Sequence, residues 1–477
     1  MKAENFISIL RDNLQVNPTE DQQYFIRQFA SFILEPTSES VFILRGYAGT
    51  GKTTMVKTIV TSLNTLKIKS VLLAPTGRAA KVLANYSGKS ASTIHRRIYK
   101  LQDQNGSDFG FTKVKNKSTN TIFIVDESSM ISGSSQSFDG LFGGSNLLSD
   151  LIEYVLEGEH CKLLFIGDVA QLPPVGEKVS PSLSQSSLLK LFGLDSKMVE
   201  LKEVLRQEID SGILSNATLQ RERLVSGEFK PSLISNQTDV IVISGQELGD
   251  YLESSYGRSG IHDAIVLCRS NKRANQFNQE IRTRLLFREE EVESSDLLMV
   301  VKNNYFWLEP TSTAGFIANG DTMEVLKVID RVEKHGFRFA TCEVKMIDYP
   351  KEPAFECKLL LDTIMADGPS LTKLEHDKLY HGVLSEYAHI RDRKLRFQKI
   401  KEDPIYNALQ VKFAYAVTCH KAQGGQWKEV FIDQGYITEE MLGIEYMRWI
   451  YTAITRASEK LYLLNFSPEY LANYESE

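Results

Sequence analysis

The sequence predicts an α/β protein with two parallel-sheet domains, the second of which is interrupted by a smaller β unit. In two separate blocks, short apolar runs alternate with helical stretches, which is the pattern of parallel strands joined by crossover helices. Each run of the first block ends in a polar or glycine-containing loop, where such sheets bind ligands. Between about residues 300 and 408 the runs become short and alternating, as in a small antiparallel barrel or sheet.

Strands are predicted wherever a β-type apolar run stands between helical or turn segments. In the first block they cover residues 41–44, 71–74, 121–125 and 163–166. In the second block they cover residues 240–243, 264–268, 413–417, 430–432 and 461–464. The inserted unit has runs at 322–328, 338–346 and 355–361, and a charged, helix-prone stretch follows at 371–401. By composition alone, that stretch is a solvated helical hairpin.

The composition limits the class of protein. At 477 residues the chain is long enough for about two to four domains, and 42% apolar with 24% charged residues is ordinary for a globular protein. A net charge of −6 gives no overall basic field, although nucleic-acid binding needs only a local basic track. Five scattered cysteines argue against a disulfide framework and a zinc site. Because no signal-peptide or membrane-spanning run is present, we expect a soluble, cytoplasmic protein.

The run at residues 46–53, Gly-Tyr-Ala-Gly-Thr-Gly-Lys-Thr, fits the phosphate-binding pattern G-x-x-x-x-G-K-[ST]. It follows an apolar strand and opens a helical stretch, which is the context this pattern requires. Glycines let successive N–H groups point at one anion, and the helix N-terminus adds partial positive charge. Lys52 can reach the β- and γ-phosphates, and the Thr53 hydroxyl can ligate Mg²⁺. The expected nucleotide contacts are Gly46, Gly49, Gly51, Lys52, Thr53 and Thr54.

Two adjacent carboxylates, Asp126 and Glu127, end the strand predicted at 121–125. A carboxylate at a strand end opposite a phosphate loop is where a nucleotidase holds Mg²⁺, and we expect Asp126 to do so. Glu127 can then polarise the attacking water. An isolated Asp-Glu pair is usually only solvated, so its position after a phosphate loop carries this prediction.

Three further side chains are candidates for contact with the γ-phosphate. Gln171 follows the next buried strand, Arg206 follows the last run of the first block, and Arg456 lies in the second block. An arginine supplied across a domain cleft completes a charge clamp only when the domains close. Taken singly, each arginine is more often a surface or ion-pairing residue.

In this order, the motifs resemble those of superfamily 1 helicases, and most closely the 5′→3′ branch of RecD-like and phage Dda-like DNA helicases. The resemblance spans about residues 17–466. Thr19 and Gln22 resemble the adenine-contacting Q motif, and Arg206 stands where motif IV carries its arginine. The other matches are 46–53 (motif I), 74–80 (Ia), 92–96 (Ib), 126–130 (II), 167–175 (III), 418–424 (V) and 451–457 (VI).

The resemblance implies a fold of two RecA-like P-loop domains. The first covers 1–95 and 121–208, and the second covers 209–300 and 409–477. Residues 96–120 form a β-hairpin pin with a turn at Asn105-Gly106, and 301–408 form an SH3-like β insertion with a helical tower at about 371–401. A Ser/Gly-rich segment, 132–145, is longer than the family's usual helix start and has no assigned function.

The resemblance also implies a nucleic-acid track. By the family's pattern its contacts are Thr76, Arg78, Thr93, His95, Thr418 and His420. Phe109 and Phe111 alternate on one hairpin strand and so face the same side. They either pack the hairpin onto its own domain or form a stacking, fork-splitting surface.

The function we expect is an ATP-dependent 5′→3′ DNA helicase and translocase that uses ATP and Mg²⁺. Its expected partners are single-stranded and forked duplex DNA, with single-strand-binding, replication or repair proteins beside them, and no membrane; we expect a monomer. The alternatives are an RNA or RNA–DNA hybrid helicase with the same motor, or a P-loop ATPase that remodels proteins. Motifs Ia, Ib and V have no role in a pure nucleotide switch.

Overall fold

The structure is a computed structural model. It describes residues 3–14, 16–34, 40–104, 108–134, 146–204, 211–236, 238–309, 312 and 314–472, without the side chains of 101–104 and 108–111. Arg206, the Asn105-Gly106 turn, most of the Ser/Gly-rich segment and the rings of Phe109 and Phe111 therefore lie outside the described part. Among the described residues, no helix is both long and apolar enough to cross a membrane.

The first unit of the chain is built around a six-stranded parallel sheet. Its elements in chain order are α1 (Ala3–Asn13), α2 (Glu20–Leu34), β1 (Val41–Gly46), α3 (Lys52–Thr65), β2 (Lys69–Ala74), α4 (Gly77–Ser87), β3 (Ala91–Thr93), α5 (Ile94–Ile98), β4 (Tyr99–Gln104), β5 (Asp108–Lys113), β6 (Thr121–Val125), α6 (Leu147–Glu157), β7 (Lys162–Gly167), α7 (Gln185–Phe192) and β8 (Ser196–Leu201). The strand order is β3-β2-β6-β7-β1-β8, and every pairing is parallel. β4 and β5 pair separately as an antiparallel hairpin.

The central strands are nearly continuous apolar runs because helices cover both faces of the sheet. Along β1, Phe42 and Leu44 pack into one core with α1, α2 and α3, while Val41 and Ile43 pack into a second core with α6 and α7. This alternation follows the two-residue period of a strand. The predicted parallel α/β architecture is confirmed.

The second unit contains a five-stranded parallel sheet whose sequence is interrupted by a barrel. The elements in chain order are α8 (Gly212–Ser226), β9 (Leu233–Ile234), β10 (Val240–Ile243), α9 (Leu248–Ser259), β11 (Ala264–Cys268), α10 (Asn271–Glu280), β12 (Leu297–Val300), β13 (Thr322–Lys334), β14 (Phe337–Met346), β15 (Phe355–Leu360), α11 (Lys373–Glu386), α12 (Arg393–Lys401), β16 (Leu409–Phe413), β17 (Ala416–Thr418), α13 (Cys419–Ala422), β18 (Trp427–Asp433), α14 (Ile444–Ile454), β19 (Ala457–Leu464) and β20 (Leu471–Ala472). The sheet order is β10-β19-β18-β11-β17.

The barrel consists of β12 to β16 and is closed. Two of its five strands, β12 and β16, lie outside the 301–408 bounds that we expected for the insertion. The run predicted as a single strand at 413–417 is also divided: Phe413 ends β16 in the barrel, and Ala416 begins β17 in the sheet. Both differences have one cause, because an apolar run does not record which of two adjacent sheets it joins.

The two helices after β15 form a hairpin on the barrel. Leu379 and Val383 of α11 and Ile400 of α12 pack against Phe337 and Phe339 of β14. Each helix begins at a side-chain cap: Thr372 forms a capping box with Glu375, and Asp392 accepts from two backbone N–H groups of α12. The stretch 371–401 is therefore anchored to the barrel by an apolar core.

The other end of the barrel touches α4 of the first unit. Lys81 Nζ donates to the Ile347 carbonyl at 3.0 Å. A Cβ at Gly77 would lie 2.4 Å from Asp321 Oδ1 and 2.6 Å from the Tyr349 hydroxyl. Real Cβ atoms do not approach other heavy atoms so closely, so a side chain at position 77 would force the buried Asp321 carboxylate and the Tyr349 ring to shift.

Gly77→Ala should therefore destabilise the protein by about 1–3 kcal/mol, the usual cost of overpacking. Gly257→Ala is the matched control, because Gly257 is exposed in α9 and no atom lies within 4 Å of the place that an added Cβ would take. That control should be neutral or stabilising by up to about 1 kcal/mol, since alanine is the better helix former. Denaturant unfolding measures the free energy of unfolding of both variants. Equal values would show that the contact between the barrel and Gly77 leaves room for a Cβ.

Candidate functional site

The loop between β1 and α3 has the backbone of an anion cradle. Gly49 and Gly51 have φ angles of 73° and 82°, which side chains other than glycine adopt at a cost. α3 begins at Lys52, and no side chain caps its first turn. Its first N–H groups are therefore available to an anion at the carboxyl end of β1. Thr53 is exposed on this turn and Thr54 is half-buried beside it.

Lys52 lies folded over this loop. Its Nζ donates to the carbonyls of Gly46 at 2.6 Å and Tyr47 at 2.8 Å, and it lies 3.8 Å from Asp168 Oδ2. A Cβ at Gly46 would come within 2.8 Å of Lys52 Cγ, so glycine at that position makes room for the lysine stem. The ammonium group is held where the loop, β1 and β7 meet.

The carboxylates of Asp126 and Glu127 stand at the end of β6. The Asp126 carboxylate accepts from the Glu127 backbone N–H at 2.9 Å and from the Tyr86 hydroxyl. Burial raises the pKa of both carboxyl groups above their usual values, and the positive charge of Lys52 opposes this rise at each. Glu127 has a φ of 52°, a left-handed backbone that is uncommon outside glycine and is found often at functional sites.

Arg456 completes the charged cluster from the second unit. It is almost fully buried, and its guanidinium donates to the carbonyls of Thr452 and Gly425, each at 3.1 Å. One terminal nitrogen lies 3.9 Å from Glu127 Oε1, and this arginine opposes the burial-driven rise of the Glu127 pKa. The structure therefore brings Arg456 and Glu127 together across the cleft between the two sheets.

Tyr451 bridges the same cleft by hydrogen bonds. Its hydroxyl donates to Asp168 Oδ2 at 2.6 Å and accepts from the Ala48 N–H of the glycine-rich loop at 2.8 Å. Burial and the Asp168 carboxylate raise the pKa of the hydroxyl well above its usual value, so it stays a donor. This tyrosine begins the run that resembles motif VI, but no signal in the sequence indicates its two partners.

The segment after β7 is held by α14 and by the loop after α13. The Leu172 N–H donates to Thr452 Oγ1 at 2.9 Å, and its carbonyl accepts from Gln423 Nε2 at 2.7 Å. Gln171 is buried beside them, and its side-chain oxygen, Oε1, has no hydrogen-bond partner among the described residues. An orphaned buried acceptor next to the cleft is consistent with the predicted ligand-sensing role of Gln171, which stays a prediction.

Gln22 lies behind the loop and is fully buried. Its Nε2 donates to the Thr50 carbonyl at 3.1 Å, and its Oε1 accepts from the Thr19 N–H at 3.2 Å. Thr19 Oγ1 accepts in turn from the Gln22 N–H. The carboxamide thus joins the phosphate loop to the start of α2, and the adenine contact expected of Gln22 stays a prediction.

Three of the expected nucleic-acid residues are threonines at helix starts after parallel strands. Thr76 Oγ1 accepts from Ala79 N–H at the start of α4, and Thr93 Oγ1 accepts from Arg96 N–H at the start of α5, each at 3.2 Å. Thr418 precedes α13 without a side-chain cap. Such strand-end helix starts offer N–H groups to phosphates.

Burial lowers the pKa of both histidines near these threonines. Burial lowers the pKa of His95 to about 4, so at neutral pH its imidazole is uncharged and can act toward a phosphate only as a hydrogen-bonding group. His420 is exposed on α13. The structure thus indicates that His95 is neutral, which the motif alone could not show.

Arg78 does not face open solvent as a track residue would. Its guanidinium stacks on the Trp427 ring at 3.9 Å from the centroid, and it donates to the Gln426 carbonyl at 3.3 Å. It therefore joins α4 to the second unit in this structure. The motif alone did not predict this, because the tryptophan partner lies about 350 residues away in the chain.

Comparisons with known proteins agree with this geometry. A model described as an AAA domain matches residues 31–177, and a model of the UvrD-like helicase C-terminal domain matches 413–464. The ATP-dependent RecD2 DNA helicase of Deinococcus radiodurans is 30% identical over 33% of this chain and 19% of its own length. The ATP-dependent DNA helicase dda of Enterobacteria phage T4 is 35% identical over 28% of each chain.

The chain is thus similar to superfamily 1 helicases of the RecD and Dda type. It also matches a full-length relative, the uncharacterized protein R530 of Acanthamoeba polyphaga mimivirus, at 25% identity over 92% of this chain and 98% of that protein. By contrast, it spans only about a fifth of the length of RecD2 and little more than a quarter of Dda. The two matched regions of the chain contain the phosphate loop, the Asp126-Glu127 pair and Arg456.

Tyr451→Phe should weaken closure of the two units around nucleotide, because the Ala48 N–H and the Asp168 carboxylate both lose a buried partner. A hydrogen bond to a charged group is worth about 1.5–3 kcal/mol, so we expect ATP turnover to fall by at least about tenfold. Tyr446→Phe is the matched control on the same helix, since the Tyr446 hydroxyl has no hydrogen-bond partner among the described residues. Steady-state ATPase assays compare the two; similar rates would exclude a special role for Tyr451.

Proposed function

We propose that this protein is an ATP-dependent DNA helicase that moves 5′→3′ on single strands. The observation that carries this proposal is the reach of α14 across the cleft, where Tyr451 contacts the phosphate loop and Arg456 approaches Glu127. Threonine helix starts lie at other strand ends of both sheets, at Thr76 and Thr418. A nucleotide in the cleft and a strand over those ends would each contact both units.

In this mechanism the loop N–H groups and Lys52 bind the triphosphate. The lysine exchanges its two carbonyl acceptors for the β- and γ-phosphate oxygens. Glu127 accepts the proton of the attacking water, and Arg456 stabilises the charge that develops on the transferred group. Both arginine and tyrosine belong to the second unit, so the complete constellation exists only when the cleft is closed.

The donor set fits Mg²⁺, which usually needs one or two carboxylates besides phosphate and water. Asp126, with a hydroxyl from Thr53, would hold the ion. Among the described residues, no cluster of three or more carboxylate, histidine or cysteine ligands is present. When bound, the ion supplies neutralising charge to the β- and γ-oxygens.

Several observations support the choice of DNA and polarity. Both helicase relatives that carry a function in their names are called DNA helicases. The 5′→3′ direction rests on the motif resemblance. An RNA or hybrid substrate uses the same backbone contacts and remains the alternative, whereas a protein remodeller would have no use for the threonine helix starts.

Strand displacement on tailed duplexes tests this function directly. We expect ATP-dependent unwinding of a duplex with a 5′ single-stranded DNA tail and none with a 3′ tail. Matched RNA and hybrid duplexes decide the substrate, and stimulation of ATP hydrolysis by oligo(dT) confirms that single strands engage the motor. Unwinding from 3′ tails only, or ATPase activity indifferent to nucleic acid, would refute the proposal.

Glu127→Gln should bind ATP but turn it over at less than about a tenth of the wild-type rate, a barrier increase above roughly 1.4 kcal/mol. The carboxamide keeps the size of the side chain but cannot take a proton. Lys52→Ala should abolish hydrolysis, because the loop loses its cation. Fluorescent-nucleotide binding and phosphate release separate the two effects; turnover above a tenth in Glu127→Gln would reassign the water-activating group.

A further inference from the structure

The helical hairpin α11–α12 carries a groove that the motor does not use. The cavity holds about 620 Å³ and lies between the two helices. We call it the hairpin groove; its lining includes Tyr380, Leu384, Arg393, Lys394, Arg396 and Phe397. Three cations thus stand beside two aromatic rings on a surface that belongs to neither parallel sheet.

The groove's positive charge is not neutralised within the described protein. Six of the eleven residues 391–401 are basic and one is acidic, in a chain whose net charge is −6. The acidic residue, Asp392, is already engaged as the cap of α12, and Lys399 is paired with Glu402. In the parts of the chain that are described, no carboxylate lies within 4.0 Å of the side-chain nitrogens of Arg393, Lys394 or Arg396. Clustered cations on a concave surface create a local positive potential, which attracts an external anion.

The aromatic rings are held in place by neighbours. The Lys401 ammonium stands over the Phe397 ring at 4.5 Å, and Tyr380 meets the edge of Tyr406 at 6.0 Å between centroids. Rings fixed by packing lose little freedom when a planar ligand stacks on them. Cations beside stacking rings are the combination that single-stranded nucleic acid binds, through its phosphates and its bases.

The groove is far from the threonines of the expected nucleic-acid track. The strand β13 has 13 residues, and its first residue follows Asp321, which touches α4. Its last residue, Lys334, is paired with Glu386 at the end of α11. At about 3.3 Å per residue, up to roughly 40 Å of strand lies between these two contacts. A ligand in the groove is therefore a different stretch of nucleic acid from the one held at α4.

We infer that the hairpin groove binds single-stranded nucleic acid, and that this strand is the one displaced at the fork. Phosphates would lie on Arg393, Lys394 and Arg396, and a base would stack against Phe397. This inference rests on the proposed helicase function, because only a fork supplies a second single strand. Duplex would leave the rings unused, since its bases are already stacked.

The test is a binding cycle with two forks and three proteins. One fork has a 5′ oligo(dT) arm only; the other adds a 3′ oligo(dT) arm of about 16 nucleotides, the upper site size of a single-strand-binding fold. The variant is R393Q/K394Q/R396Q, which keeps good helix formers. The control is K327Q/K345Q/K373Q, which removes the same charge from exposed positions of the same insertion outside the groove.

Fluorescence anisotropy should show that the 3′ arm tightens binding about tenfold for the wild type and the control. The groove variant should gain nothing from the arm. Its salt slope on the two-armed fork should fall by about 2, because three phosphate contacts at roughly 0.7 each are lost. Phe397→Leu should reduce the benefit of the arm while leaving the salt slope unchanged, since it removes stacking and keeps the charge.

Each other outcome contradicts the inference. Equal loss of affinity on both forks would place duplex or the tracked strand in the groove. If the groove variant gained as much affinity from the 3′ arm as the wild type, the groove would bind a ligand other than nucleic acid, such as an acidic peptide. Stimulation of ATPase by unbranched oligo(dT) is measured in parallel, because it needs only the motor. Its absence in the wild type would refute the proposed function. Its presence, together with an equal gain from the 3′ arm in the wild type and the groove variant, would refute the groove inference alone.

Discussion

The Tyr451 hydroxyl, which lies between the Ala48 N–H and the Asp168 carboxylate, joins the two units at the point on which the candidate site depends. It places a residue of α14 against the phosphate loop, and five positions later the same segment supplies Arg456 beside Glu127. Because the bridge is buried, each partner would be left unsatisfied if the units separated without a ligand or water to replace it. The energetics of opening are therefore linked to the atoms that surround the triphosphate.

The helix α4 connects this site to the rest of the molecule. Its first turn touches the barrel through Gly77 and the second unit through Arg78. Its last turn carries Tyr86, whose hydroxyl donates to Asp126. One rigid element thus contacts the barrel, the second sheet and the carboxylate expected to hold the metal. If a strand bound at Thr76 shifted α4, the hydrogen bond from Tyr86 to Asp126 would change with it.

The sequence predicted the four inner strands of the first sheet and the phosphate loop, because both depend on local patterns, but not the edge strands β3 and β8, which are not continuous apolar runs. A buried parallel strand needs a continuous apolar run, and the loop needs glycine where the backbone is left-handed, as at Gly49 and Gly51. Contacts between distant segments could not be predicted in the same way. Nothing near Arg78 indicates Trp427, and nothing near Tyr451 indicates Ala48. The first and last strands of the barrel, β12 and β16, were also not predicted as part of it, because closure depends on the pairing between them rather than on either run alone.

That pairing has a mechanical meaning. The chain enters the barrel on β12 and leaves it on β16, and the two strands are hydrogen-bonded neighbours, with Leu298 opposite Phe413. Three residues after Phe413 the chain is already in β17 of the second sheet. The barrel is thus attached to the second unit through both of its terminal strands, whereas α4 holds it only through side chains such as Lys81. If the second sheet rotated about the cleft, this covalent attachment would carry the barrel and its helical hairpin with it, and a small rotation at the nucleotide would become a larger displacement at the far end of the hairpin.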